Sequence, residues 1–220
     1  MGILRTACQE FRWASYRLSR RARGRIAAVR RAIRAPRLPV NEDGGVLVHL
    51  GCGEIDSPGY VNVDAQPAPH IHYVSDVTDL SMFPADHADL VYACHVLEHT
   101  PHPRLRQTLW EWWRILKPGG VLRLAVPDFE AALRVYEASD RAIEPILPIL
   151  MGTQADRFKV HHALFNEDFL ACRLREVGFS GVRRWTPDEA DHHDFEDWSG
   201  AVVRVGDEEI PISLNLEGVK

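Results

Sequence analysis

The sequence predicts an α/β domain with a doubly wound, mostly parallel β-sheet and an antiparallel last strand. Two observations predict this fold class. Apolar runs of strand length alternate with amphipathic helical segments between residues 46 and 178, and this alternation favours parallel strands joined by right-handed crossovers. Glycine or a polar residue follows most of the apolar runs, and ligands of such sheets bind beyond the carboxyl ends of the strands.

The first predicted strand, residues 46–50, leads directly into a glycine-rich turn at residues 51–53. A second short strand then ends at Asp64. Glycines let the main chain approach a ligand without a Cβ in the way, and a carboxylate can accept two hydrogen bonds from neighbouring sugar hydroxyls. These residues together predict a site for a nucleoside cofactor.

A dinucleotide is the less favoured occupant of that site. The dinucleotide fingerprint has a third glycine where Asp56 stands, and its acidic residue follows about 20 positions later. Asp64 follows Gly53 too closely for that pattern. A nicotinamide-dependent enzyme therefore remains only a minor alternative.

Three further predicted strands end beside polar residues. They are residues 71–74 before Asp76, 88–94 before His95, and 121–126 before Asp128. A helix is predicted over residues 104–116, with Leu105, Leu109, Trp112, Trp113 and Leu116 on its inner face. Because the carboxyl ends of parallel strands meet at one edge of a sheet, the polar residues are expected to converge there.

The C-terminal part begins with a longer excursion, residues 129–163, which is well placed to act as a lid. Its helix is expected to turn Phe129, Leu133 and Tyr136 inward. A second helix is predicted from Asn166, a good N-cap, to Gly178. Residues 182–185 and 210–216 are predicted to be the last two strands, separated by an acidic loop at 188–198.

Residues 1–38 differ in charge from the rest of the chain. They hold eleven arginines and one acid, Glu10; subtracting these from 26 basic and 31 acidic residues leaves 15 basic and 30 acidic residues in 39–220. Apolar residues spaced by three and four predict an amphipathic helix over 3–34, followed by a linker at 39–45. Such an arm can lie on an anionic membrane, pack on the body or on a second copy, or bind nucleic acid.

The cysteines argue for a reducing compartment. The four of them, Cys8, Cys52, Cys94 and Cys172, show no CxxC spacing, so neither a disulfide framework nor a zinc site is expected from them. No apolar run has the length of a membrane span, and no secretory signal is apparent. A cytoplasmic location is expected, and a peripheral position at the inner membrane face is one of the alternatives for the basic arm.

The chain resembles the class I S-adenosylmethionine-dependent methyltransferases. The resemblance rests on the turn at 51–53, the acids Asp64 and Asp76, the segment Leu97-Glu98-His99, and Leu116-Lys-Pro-Gly-Gly120 before a strand. It implies a Rossmann-like, seven-stranded sheet of the methyltransferase type over residues 46–220. Pro58–Asp64, Val126-Pro-Asp128, the segment from His162 to Phe165 and Ser213-Leu-Asn resemble a bacterial subgroup linked to polysaccharide or lipopolysaccharide biosynthesis. The short connection from Gly53 to Asp64 departs from the usual crossover helix.

The resemblance implies roles for the residues at the strand ends. The expected cofactor-binding residues are Gly51, Cys52, Gly53, Asp64, Asp76, Val77 and His95. Asp64 would hold the ribose diol, whereas Asp76 and Val77 would contact the adenine. A helix-capping role remains open for Asp76, and His95 could equally be a neutral histidine satisfied at a strand end.

A hydroxyl acceptor benefits from a general base. The candidates are His99, Asp128 and His162, although Asp128 also suits an N-cap and His162 could simply pack. Glu98 and His99 are explained as well by capping and packing as by catalysis, and the same holds for His161. His192 and His193 lie in an acidic loop expected at the surface, so no metal site is predicted.

The resemblance implies a methyltransferase acting on a sugar hydroxyl of a glycan or of its lipid- or nucleotide-linked precursor. A small metabolite, a lipid or RNA is an alternative acceptor, although the acidic body argues against RNA and DNA. A non-catalytic scaffold subunit that binds the cofactor is a further alternative. A homo-oligomer is also compatible with the sequence.

Overall fold

A computed structural model describes residues 36–41 and 44–220. The helix predicted over 3–34 lies outside the described residues. The described strands are β1 (Leu47–Leu50), β2 (Tyr60–Asp64), β3 (Tyr73–Val74), β4 (Ala88–Cys94), β5 (Leu116–Pro127), β6 (Ser180–Arg184), β7 (Val202–Val205), β8 (Glu208–Pro211) and β9 (Ser213–Val219). The helices are α1 (Leu105–Ile115), α2 (Phe129–Ala138), α3 (Leu147–Met151) and α4 (Glu167–Val177).

Seven of these strands form one sheet in the order β3-β2-β1-β4-β5-β9-β6. Every neighbouring pair from β3 to β5 is parallel, whereas β9 runs antiparallel to both β5 and β6. This arrangement confirms the predicted fold class, including the antiparallel last strand. The glycine turn and the ends of β2, β3 and β4 lie at the same edge of the sheet.

One face of the sheet carries the main core. Its apolar residues come from the central strands, such as Val48 and Val91, and from Leu109, Trp112 and Leu174 on α1 and α4. Helix α4 begins at the predicted cap, since the Asn166 side chain accepts a hydrogen bond from Phe169 N at 3.1 Å. It ends at Gly178 in a left-handed conformation.

The opposite face is covered by the loop between β6 and β7 rather than by a crossover helix. The connection from β1 to β2 is too short to hold such a helix, as the sequence predicts. The Phe195 ring instead lies 5.7 Å from those of His49 and Tyr92, measured between ring centroids. Trp185 packs in the same cluster and donates its indole N–H to Leu124 O at 2.8 Å.

A smaller apolar cluster joins the excursion after β5 to the C-terminal region. It contains Val135 and Ile149 from α2 and α3, with Ile210 from the hairpin β7–β8. The prediction of one strand over 210–216 is wrong, because Pro211 has no N–H to continue a ladder and Ile212 N bonds instead to Ala201 O. The inward placement of Leu133 is also wrong: it is 47% exposed, whereas Ala131, Ala132 and Val135 are buried.

Within the described residues, no helix has both the length and the apolar character required to cross a membrane.

Candidate active site

The turn after β1 is a conformation that requires glycine. Gly51 has φ 61° and Gly53 has φ 59°, and L-residues with a side chain rarely adopt such values. A Cβ on Gly51 would lie 2.4 Å from Cγ2 of Val96. The turn therefore leaves its backbone open beside the segment that follows β4.

Asp64 faces this turn. Its Oδ2 accepts a hydrogen bond from Gly53 N at 2.9 Å, and its Oδ1 accepts one from Gln66 N at 2.7 Å. Each carboxylate oxygen has a second lone-pair site, so Asp64 keeps acceptor capacity for the diol of a ribose. The glycine turn and the carboxylate are thus parts of one site.

The other expected cofactor residues have clear local roles. Cys52 is buried in a small cluster with Ala68 and Ile71. Asp76 is exposed and accepts hydrogen bonds from the Thr78 amide at 2.9 Å and hydroxyl at 2.8 Å, so it caps the turn that follows β3. Val77 O accepts the indole N–H of Trp112 at 2.8 Å. These contacts hold the loop after β3 against the main core.

His95 directly follows β4 with φ 52°. Its Nε2 lies 2.6 Å from Ser213 Oγ, and the Ser213 hydroxyl donates to Trp198 O. Because that hydroxyl proton is already used, Nε2 of His95 is the donor to Ser213, and Nδ1 carries the lone pair. Burial lowers the pKa of His95 to about 4, which keeps the ring neutral near pH 7.

Glu98 lies in the 3₁₀ turn Leu97–His99 and is completely buried. Neither carboxylate oxygen has a hydrogen-bond partner among the described residues. Burial raises the pKa of Glu98 to about 8. Its Oε1 lies 3.7 Å from His95 Nδ1, and 3.9 Å from Nε2 of both His99 and His161.

Backbone carbonyls orient His99 and His161. Nδ1 of His99 lies 3.0 Å from Val160 O, and Nδ1 of His161 lies 3.0 Å from Ile149 O. A carbonyl can only accept a hydrogen bond, so both Nδ1 atoms carry the proton and both Nε2 atoms present lone pairs towards Glu98. Burial lowers the pKa of each ring, that of His161 to about 4.

Asp128 and His162 are not part of this cluster. Asp128 caps α2, accepting a hydrogen bond from Glu130 N at 2.9 Å. His162 is exposed, and its backbone N–H donates to Glu98 O at 2.7 Å. The cluster instead brings in Glu98 and His161, for which the sequence left packing as an equal explanation. The spacing of His95, Glu98 and His99 by three and four residues was the available signal.

The prediction that His193 lies at the surface is wrong. Its side chain is only 3% exposed, and its Nε2 lies 3.2 Å from the Tyr92 hydroxyl and 3.6 Å from Asp197 Oδ1. Hydrogen bonds from His193, Ser199 and Tyr92 lower the pKa of Asp197 despite its burial. His193 therefore anchors the loop on the sheet, whereas His192 is exposed.

A large aromatic side chain lies beside the cluster. Trp198 is 64% exposed, and its ring centroid is 6.0 Å from that of His95. Most large apolar side chains near the sheet are buried. Trp198 thus offers a flat apolar surface to a ligand at this edge.

Comparisons with known proteins agree with this architecture. Residues 56–124 match the family model described as "Methyltransferase domain". A search of curated proteins gave no significant match. The fold is shared with a putative methyltransferase of Haloferax volcanii solved with the Trm112 activator, at 18% identity and TM-score 0.50, covering 94% of this chain and 93% of that one.

Two further solved structures share the fold at a TM-score of 0.50. One is a possible histamine N-methyltransferase from Thermotoga maritima, at 16% identity over 98% of this chain and 97% of that one. The other is a methyltransferase from Archaeoglobus fulgidus, at 14% identity over 90% and 94% of the two chains. The family match concerns the activity and these neighbours concern the fold. The chain is an enzyme with a methyltransferase domain of the class I fold, and its cofactor is S-adenosylmethionine.

Proposed function

We propose that the enzyme methylates a hydroxyl group of a sugar, in a glycan or in its lipid- or nucleotide-linked precursor. The observation that carries this proposal is the exposed Trp198 beside the neutral ring of His95. The C–H face of a sugar ring packs well on a flat, amphipathic indole. A hydroxyl of that sugar would then lie near the ends of β4 and β5, where the histidine cluster is found.

The residues at this edge fit the cofactor and the reaction. S-adenosylmethionine supplies a methyl group already activated by a positively charged sulfur. We assign the turn at 51–53 and Asp64 to the methionine and ribose parts, and Asp76 with Val77 to the adenine. The enzyme then has to orient the acceptor oxygen in line with the methyl group. The neutral ring of His95, whose Nδ1 carries a lone pair, is suited to receive the hydroxyl proton.

We further propose a division of the chain into functional parts. Residues 46–220 form the methyltransferase domain, with residues 129–163 as a lid that supplies His161. Residues 1–38 form a basic arm that brings the enzyme to the anionic inner face of the membrane, where lipid-linked precursors are found. Its eleven arginines support this role, since each basic residue near such a surface adds about 1 kcal/mol of attraction.

The acceptor is tested by incubating the full chain with methyl-labelled S-adenosylmethionine and a glycan fraction of the source cell. The proposal predicts label in O-methyl sugars after hydrolysis. The variant Trp198→Ala should lower kcat/KM for the glycan about tenfold or more, because it removes the stacking surface. Label found only in nitrogen-methylated or non-sugar products would contradict the proposal.

The arm is tested separately with vesicles. The full chain should co-sediment with vesicles that contain anionic lipid, and less so as salt is added. A chain of residues 39–220 should stay in the supernatant. Equal sedimentation of the two chains, or retention of the full chain by RNA alone, would contradict the membrane role.

A further inference from the structure

We propose that Glu98, His99 and His161 form a binding site for a divalent transition-metal ion. Each of these residues offers a ligand atom, and these atoms all lie within 4.8 Å of one another. The site is built from two distant parts of the chain. The turn after β4 supplies Glu98 and His99, and the end of the 129–163 excursion supplies His161.

The first argument is the state of the Glu98 carboxylate. It is completely buried, and neither oxygen has a hydrogen-bond partner in the described part of the chain. A buried carboxylate without a partner is unfavourable, and buried charges in proteins are paired or coordinate metals. A cation between Glu98 and the histidines would remove this cost.

The second argument is the orientation of His99 and His161. Val160 O accepts a hydrogen bond from Nδ1 of His99, and Ile149 O accepts one from Nδ1 of His161. The Nε2 atom of each ring therefore carries the lone pair, and each lies 3.9 Å from Glu98 Oε1. Carbonyl groups that fix the outer nitrogen of a histidine are the usual second shell of a metal site.

The third argument is distance. The Nε2 atoms of His99 and His161 each lie 3.9 Å from Glu98 Oε1, which is beyond hydrogen-bond range. An ion bound at about 2.0–2.2 Å from nitrogen and oxygen ligands separates them by more than a hydrogen bond. Gly152 keeps room for one ring, since a Cβ there would lie 2.9 Å from Cδ2 of His161.

The ligand set selects the kind of ion. Imidazole suits zinc, cobalt, iron and copper, whereas magnesium and calcium prefer carboxylates, carbonyls and water. Two histidines and one carboxylate therefore favour zinc or a similar first-row ion. This proposal departs from the expectation, drawn from the cysteines and from His192 and His193, that the chain holds no metal site.

The site lies next to the cofactor turn, because Val96, between His95 and Glu98, packs on Gly51. One part of the inference rests on the proposed function: an ion here would bind the acceptor oxygen and help its proton pass to His95, as the carbon–oxygen bond forms and the carbon–sulfur bond of the cofactor breaks. Binding of the ion itself does not depend on the acceptor. The 129–163 excursion would then be tied to the sheet through His161.

The test is titration of the full chain, stripped with a chelator, with Co²⁺ alone. The inference predicts one tight site, a visible absorption band typical of a nitrogen and oxygen ligand set, and a rise in Tm. Glu98→Gln and His161→Gln should each bind Co²⁺ more than about tenfold more weakly. His192→Asn, which removes an exposed histidine, should bind like the wild type.

A replacement variant and a cofactor titration ensure that the experiment can refute the inference. If Glu98→Gln fails to fold by circular dichroism, the partly exposed His99→Gln replaces it. Wild-type protein with no stoichiometric Co²⁺ site, or variants that bind Co²⁺ as tightly as the wild type, would overturn the inference. S-adenosylmethionine titration of the same samples separates the two proposals, because cofactor binding without metal binding refutes only the metal site.

Discussion

Both the backbone conformation and a neighbouring side chain exclude a Cβ at Gly51. Its φ of 61° is disfavoured for residues with a Cβ, and its Cβ would collide with Val96. The same turn donates Gly53 N to Asp64. The spacing of these glycines and this acid could be read directly from the sequence, since it depends on the nearest strand ends.

Replacing Gly51 by alanine should weaken S-adenosylmethionine binding about tenfold or more and lower the free energy of unfolding by about 1–3 kcal/mol. Gly119→Ala is the matched control: Gly119 has φ 80°, but apart from its chain neighbours no atom of the described residues lies within 4 Å of a Cβ built there. Calorimetry and chemical unfolding of both variants measure the two effects. Equal losses in the two variants would show that strain alone, and not the contact with Val96, matters at Gly51.

The contact between Glu98 and His161 could not be predicted from the sequence. They are 63 positions apart, and their contact depends on the path of the 129–163 excursion. The adjacent pair at 161 and 162 gives no pattern that says which ring turns inward. The structure places His161 at Glu98 and leaves His162 exposed.

The loop between β6 and β7 lies on the sheet face where a crossover helix would otherwise pack. Phe195 stacks on His49, and His193 bonds to Tyr92, so the loop covers the sheet face over β1 and β4. The sequence predicts a short connection after β1, but it gives no periodic signal for the segment that replaces the helix. A polar loop with two aromatic residues has the composition of a surface segment.

Replacing Phe195 by alanine should lower the free energy of unfolding by about 1–3 kcal/mol, because the ring fills the space over His49 and Tyr92. Trp198→Ala is the matched control, since Trp198 is 64% exposed. Urea unfolding of both variants measures the difference. A larger loss in Trp198→Ala than in Phe195→Ala would contradict the covering role of the loop.

The covered face also predicts a pH dependence of stability. Burial lowers the pKa of His49 to about 3, against 6.5 when unfolded. Between these values the unfolded chain binds the additional proton, so this contribution to stability is complete above pH 6.5 and is lost as the pH falls towards 3. Replacing His49 by glutamine should reduce the slope of unfolding free energy against pH by up to about 1.4 kcal/mol per unit.

The slope is measured by urea unfolding at several pH values within that window. His102→Gln is the control, because it removes an exposed histidine. A slope for His49→Gln that equals the wild-type slope would contradict the buried, neutral state of His49. The slope is the informative quantity, since the substitution also removes ring contacts.

At the scale of the whole molecule, the strand order of the sheet and the edge that carries the candidate site both follow from short apolar runs and the residues that end them. Strand β4 has the predicted bounds, and β2 ends at Asp64 as predicted, because their apolar runs are buried on both faces. The hairpin β7–β8 escaped prediction because Pro211 interrupts a run that otherwise resembles one strand.

The central claim is that the glycine turn and the Asp64 carboxylate bind one adenosyl ligand. Calorimetric titration of S-adenosylmethionine into the wild type, Asp64→Asn and Asp86→Asn tests it directly, since Asp86 precedes β4 at the opposite edge of the sheet. The account predicts saturable one-to-one binding by the wild type and Asp86→Asn, and binding weaker by about tenfold or more for Asp64→Asn. No saturable binding by the wild type, or equal binding by all three proteins, would contradict it.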